Sequence, residues 1–136
     1  MAEQWPHGYC PISKMRPKLK RIHSPDIADL ESFRPQDTES FGFLLQAMFG
    51  PDNGDGEEAF DLIVCTPKWL EQKVSRSTVI SGRHHLVVKE YSIERVRAFL
   101  VQYGRTCEAE NWHEVARKLS RIGKWEFEDY VPYAQL

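Results

Sequence analysis

Residues 111–130, NWHEVARKLSRIGKWEFEDY, hold a complete helix signal followed by aromatic residues alternating with acids. Asn111 can cap the helix through its side-chain oxygen, and Glu114, three residues on, can reach back to complete a capping box. Trp112, Val115, Ala116, Leu119 and Ile122 recur at helical spacing, so one face is apolar and must pack. Gly123 is placed to supply the left-handed residue that ends such a helix. If the chain is extended beyond it, Trp125 and Phe127 point one way and Glu126 and Glu128 the other. The block contains no catalytic motif. It specifies a packed helix and an aromatic, acidic surface, which points to a protein that works by contact.

Upstream, strands come first. Residues 19–22 form a short candidate strand, closed by the turn signature Ser24-Pro25-Asp26. In residues 41–50, Phe41, Phe43, Leu45, Ala47 and Phe49 fall on one face at period two. Phe60, Leu62 and Val64 repeat the pattern, and the Gly- and Asp-rich stretch 51–56 joins the two runs as a long β-hairpin over about 41–66. Thr66 and Pro67 start a short helix, with loop or weak strand expected from Val74 onward. Residues 85–91 read as another strand. Ser92 then caps a helix whose face is Ile93, Val96, Leu100 and Tyr103. The expected fold is α+β: an antiparallel sheet with that hairpin, packed against two C-terminal helices.

With 136 residues, 41% of them hydrophobic, the chain can build one core. Residues 1–14 lack periodicity and are expected to be a poorly ordered extension ahead of a single domain, 15–136, with Met15 a candidate natural start. Three cysteines at no metal-like spacing point to a reducing, cytoplasmic setting. No run of about 18 apolar residues signals a membrane span. The net charge of −2 does not suggest a general nucleic-acid binder. Charge is uneven, however. Lys14, Arg16, Lys18, Lys20 and Arg21 make a basic stretch, whereas Asp52, Asp55, Glu57, Glu58 and Asp61 have no basic residue among them. An RNA-binding reading of the basic stretch is weak, because five cations in an arm do not make a basic face.

The blocks FGFLLQAMFGP (41–51), GEEAFDLIVCTPKWLE (56–71), GRHHLVVKEY (82–91) and NWHEVARKLSRIGKWEFEDY (111–130) together resemble the Immunity protein 8 family. The similarity runs collinearly over roughly residues 15–130. It implies a cytoplasmic α+β immunity protein of bacterial competition, including contact-dependent growth inhibition, that binds and neutralises a cognate toxin domain. It implies no catalytic residue.

Chemistry-bearing candidates are few. Cys65 with His84 or His85 could form a nucleophile and base, but a cysteine inside a strand more often acts as a small apolar residue. His84, His85, Cys107 and His113 lack zinc-like spacing, so no metal and no cofactor is expected. The loop GPDNGDGEE (50–58) fails the EF-hand template, because a start at Asn53 puts Glu58 where glycine is required. The second face of the hairpin carries Leu44, Met48, Ile63 and Cys65, a partly apolar set that a loop, the N-terminal arm or a partner could cover.

The partner surface is expected on acids: Asp52, Asp55, Glu57, Glu58 and Asp61 first, then Glu126, Glu128 and Asp129. The hairpin tip is expected to be the least shielded by the chain's own cations. Such carboxylates suit a basic toxin, a nuclease for instance, by standing where phosphates bind. The function expected is stoichiometric occlusion of a toxin domain by a monomer or weak homodimer that is no enzyme and binds neither nucleic acid nor membrane. The alternative is a small regulatory or scaffold module binding another cytoplasmic protein. A toxin-bearing neighbouring gene would favour immunity.

Overall fold

Alternation of large apolar side chains with polar or small ones builds the centre of the fold. A computed structural model describes residues 14–129. The two alternating runs form β2 (Gly42–Pro51) and β3 (Glu58–Cys65), preceded by β1 (Pro17–His23). After β3 come α1 (Pro67–Ser77), β4 (His85–Val87), α2 (Ile93–Arg105), α3 (Trp112–Leu119) and β5 (Lys124–Trp125). β2 and β3 pair antiparallel from Gly42 opposite Cys65 to Phe49 opposite Glu58, which is the expected long hairpin. β1 lies antiparallel on the far side of β2, with an irregularity between Leu19 and Arg21. The other edge of β3 is shared: β5 pairs antiparallel at Phe60 and Asp61, and β4 pairs parallel at Ile63 to Cys65.

Phe43, Leu45, Ala47 and Phe49 of β2 and Phe60, Leu62 and Val64 of β3 are buried on one sheet face, under α2 and α3. In α2, Ser92 Oγ accepts from the Arg95 amide, and Ile93, Val96, Leu100 and Gly104 are buried. In α3, Asn111 Oδ1 accepts from the Glu114 amide at 2.9 Å, and Val115, Ala116 and Leu119 are buried. Each leucine taken from water onto this sheet contributes about 1.5–3 kcal/mol. Phe33, Phe41, Phe43 and Tyr91 close the end where β2 begins, with the Phe33 and Tyr91 rings 5.0 Å apart edge to face. The Tyr91 hydroxyl donates to the Leu30 carbonyl, which ties the loop after β1 onto this cluster.

Several local expectations are corrected. α1 is not short. It runs past Val74 to Ser77, since nothing in that stretch breaks a helix before Thr78, whose φ is 61°. It buries none of its residues. β4 stops at Val87, because the chain must leave the sheet to reach the Ser92 cap, and it pairs parallel instead of antiparallel.

Gly123 is not left-handed. Its value is close approach, as a Cβ there would sit 3.0 Å from the Phe60 Cβ and 3.1 Å from the Phe60 carbonyl carbon. Glu114 turns to Arg117, at 3.1 Å, instead of closing a capping box. The segment after Trp125 is a turn, in which the Glu128 amide donates to the Trp125 carbonyl, so the acids there do not line one face of a strand. Apart from Lys14, which is exposed, the N-terminal extension expected over 1–14 lies outside the described residues.

Candidate partner-binding surface

The hairpin tip is built by β2 and β3 running out together and closing through Asp52 to Glu57. Gly56, with φ 95°, takes the left-handed position in the turn. The tip is held from below by β1, whose cations the strand order places beside it. Arg21 Nε lies 2.6 Å from Glu57 Oε1, and Lys20 Nζ donates to the Gly54 carbonyl at 2.8 Å. The Asp52 amide donates to the Arg16 carbonyl at 2.8 Å. The expectation of an unshielded tip is therefore corrected: Lys18, Lys20 and Arg21 of the basic stretch lie on the edge strand β1, and Lys20 and Arg21 clasp the acidic loop.

The eight acids divide by what their carboxylates already hold. Asp52 and Asp55 at the tip and Asp129 after β5 are exposed, with no side-chain hydrogen bond or ion pair among the described residues. Glu57 and Glu128 sit in exposed ion pairs, the latter 2.6 Å from Arg83. Glu58, Asp61 and Glu126 are engaged internally. Glu58 Oε1 accepts from the indoles of both Trp112 and Trp125. Asp61 accepts from its cross-strand partner Gln46 at 3.2 Å. Glu126 Oε1 accepts from the Ala59 amide, while its own amide donates to the Ala59 carbonyl, each at 3.1 Å. β5 thus brings Trp125 beside Glu58 and Glu126 beside Ala59, while Glu128 turns to Arg83 ahead of β4. The tryptophan partners were the missed signal, since an indole N–H that is half-buried needs an acceptor.

On the face turned away from α2 and α3, Leu44 opposes Ile63, Gln46 opposes Asp61 and Met48 opposes Ala59. Leu44 and Ile63 are half-buried, and Val87 at the end of β4 is 49% exposed. Trp69 of α1 covers the Gly42 end of this face, where a Cβ would meet its ring at 2.2 Å. Among the described residues α1 roofs this face at the Gly42 end, and Leu44, Gln46, Asp61 and Ile63 in its middle are half-buried.

The remaining candidates are placed as follows. Cys65 is fully buried, and burial pushes its thiol up to about 11, the wrong direction for a nucleophile at neutral pH. The His84 ring bonds the Ser120 carbonyl at 2.7 Å, and the His85 ring bonds the Arg83 carbonyl. His113 packs edge-on against Trp125. Cys107 is buried against Tyr103. The described residues hold no group of three or more His, Cys, Asp or Glu arranged for a metal ion. No helix among them is long and apolar enough to cross a membrane.

The family model for Immunity protein 8 matches residues 17–130, from the start of β1 to just past β5. No curated protein and no solved structure matches the chain.

Proposed function

We propose, from the premise that the chain belongs to the Immunity protein 8 family, that it neutralises one cognate toxin domain by stoichiometric occlusion. Family membership makes it an immunity protein against a toxin. In the proposed mechanism, residues 15–136 act as one domain in the cytoplasm, and the acidic hairpin tip lies over a basic toxin site. Such a site is one a nuclease needs for its phosphates.

The observation that carries the reading is the pair of uncommitted carboxylates, Asp52 and Asp55, on a hairpin loop that is itself pinned by Arg21 and Lys20. A rigid support with free charge at its end gives fast, selective encounter at little ordering cost. In this reading Glu57, Glu128 and Asp129 add further carboxylates to the contact. Glu58, Asp61 and Glu126 serve it indirectly, by holding β3 and β5 in place.

The test is protection. Sensitive bacteria expressing the chain survive the cognate toxin and not unrelated ones, and the purified proteins form a one-to-one complex in which toxin activity is lost. Absence of protection with folded protein present overturns the reading.

A further inference from the structure

Among the described residues β1 is the terminal strand of the sheet, and its outer edge is only begun. The Arg16 carbonyl accepts from Asp52, so Arg16 and Lys18 turn their peptide groups toward β2. By the alternation of an antiparallel ladder, Met15, Pro17 and Leu19 turn theirs outward. At Met15 those groups are taken: its amide donates to the Ala109 carbonyl at 2.6 Å, and the Ala109 amide donates back at 3.1 Å. Among the described residues that bridge is isolated, and no strand continues it along Pro17 to Leu19.

A cleft of about 540 Å³ opens where the pairing stops, walled by Lys18 and Leu19 of β1 and by Val101 and Arg105 of α2. Its charges are unevenly spent. Arg16 is held by Glu108 at 3.2 Å. Lys18 has no ion pair or side-chain hydrogen bond among the described residues, and Arg105 reaches only Gln102 within its own helix. Val101, 38% exposed, gives the wall an apolar patch. Asp52 stands at the rim, so the cleft adjoins the acidic tip.

We propose that this cleft receives an extended acidic segment of the toxin, which adds to β1 as a strand in line with Ala109 and sets carboxylates against Lys18 and Arg105. Strand addition supplies affinity through main-chain hydrogen bonds, and the two cations supply the choice of partner. Pro17, which has no donor, and the irregularity before Arg21 keep the open stretch short. A general strand finds little to pair with there, whereas a short acidic one gains charge as well. This inference rests on the toxin-binding reading for the source of the segment.

Two probes separate the two claims: an inactivated cognate toxin domain, and a short peptide alternating Glu and Val with its Lys–Val counterpart. Lys18→Glu with Arg105→Glu, folded by circular dichroism, binds the toxin domain about tenfold more weakly. Lys18→Arg with Arg105→Lys binds it as the wild type does. The Glu–Val peptide slows hydrogen exchange at the Leu19 amide in the wild type, and the Lys–Val peptide does not. If the double reversal unfolds, Lys18→Glu alone carries the comparison.

Equal toxin binding by the reversed variant, with Leu19 exchange unchanged, overturns the cleft and leaves toxin binding standing. A wild type that does not bind the toxin domain overturns the toxin as the source. The peptide then judges the edge itself: protection of Leu19 supports it, and no protection overturns it.

Discussion

The Trp125 indole donates to Glu58 Oε1 at 3.1 Å, and the Trp112 indole donates to the same oxygen. One carboxylate at the start of β3 thereby ties α3 and β5 to the hairpin. Glu58→Ala would strand two half-buried donors, and is expected to cost about 1–3 kcal/mol in chemical denaturation. Glu58→Gln keeps an acceptor oxygen and is expected to lose less. Neutralisation should fall only as far as the folded fraction falls. An alanine variant as stable as the wild type would show that the clamp contributes nothing.

Glu126 and Glu128 are neighbours in sequence with different duties. Glu126 satisfies the amide of Ala59, which is 9% exposed, so Glu126→Ala is expected to cost about 0.5–1.5 kcal/mol. Glu128 is paired with an Arg83 side chain that is 58% exposed, and its loss is expected to fall within about 0–1 kcal/mol. Both variants belong in one urea series, where the reverse order would contradict the backbone assignment. An extended segment would have turned both acids to one side. The turn after Trp125 is what separates them.

Leu119 is fully buried on α3 against the sheet. Leu119→Ala is expected to lower stability by about 2–5 kcal/mol, with protection falling in proportion to folded protein. Unchanged thermal stability would mean that the apolar face of α3 is misassigned.

Period-two and period-3.6 patterns are local, so the hairpin, α2 and α3 were legible from Phe43 to Phe49, from Ile93 to Leu100 and from Val115 to Leu119. So were the caps Thr66, Ser92 and Asn111. What could not be read depends on partners distant in sequence. Arg21 and Glu57 meet only because β1 joins β2, and Glu58 meets its two tryptophans only because β5 returns to β3. The same limit applies to the site. The acidic residues were visible as types, but which of them are spent internally follows from tertiary pairing. Gly123 shows the limit most simply: glycine after a helix suggested a left-handed end, while the real demand is contact with Phe60.

Burial raises the Cys65 thiol from 9.0 to about 11, and raises the Cys107 thiol in the same direction. The unfolded chain releases the Cys65 proton first, so between these values it binds fewer protons than the folded protein. Stability is therefore complete below about pH 9 and declines as pH rises toward about 11, by roughly 2–3 kcal/mol for Cys65. Urea denaturation at about pH 8 and about pH 10.5 measures this loss, and Cys65→Ala should flatten it. An identical alkaline decline in wild type and variant would assign it to other groups.

Asp52 and Asp55 offer the cleanest test of the acidic tip, because neither carboxylate holds the fold together. Reversing both to Lys removes free negative charge from the hairpin loop while Arg21, Lys20 and Glu57 continue to fix its shape. Thermal stability should stay within about 0.5 kcal/mol of the wild type, as for most exposed substitutions. Association with a basic toxin surface should slow by about three- to tenfold at low salt, since rim charges act on encounter more than on dissociation. The wild-type rate should fall with added salt as screening shortens the reach of the carboxylates, and the variant's rate should fall less. Stopped-flow association across a salt series reads both effects together. Equal rates and equal salt slopes for the two proteins would remove the tip from the interface.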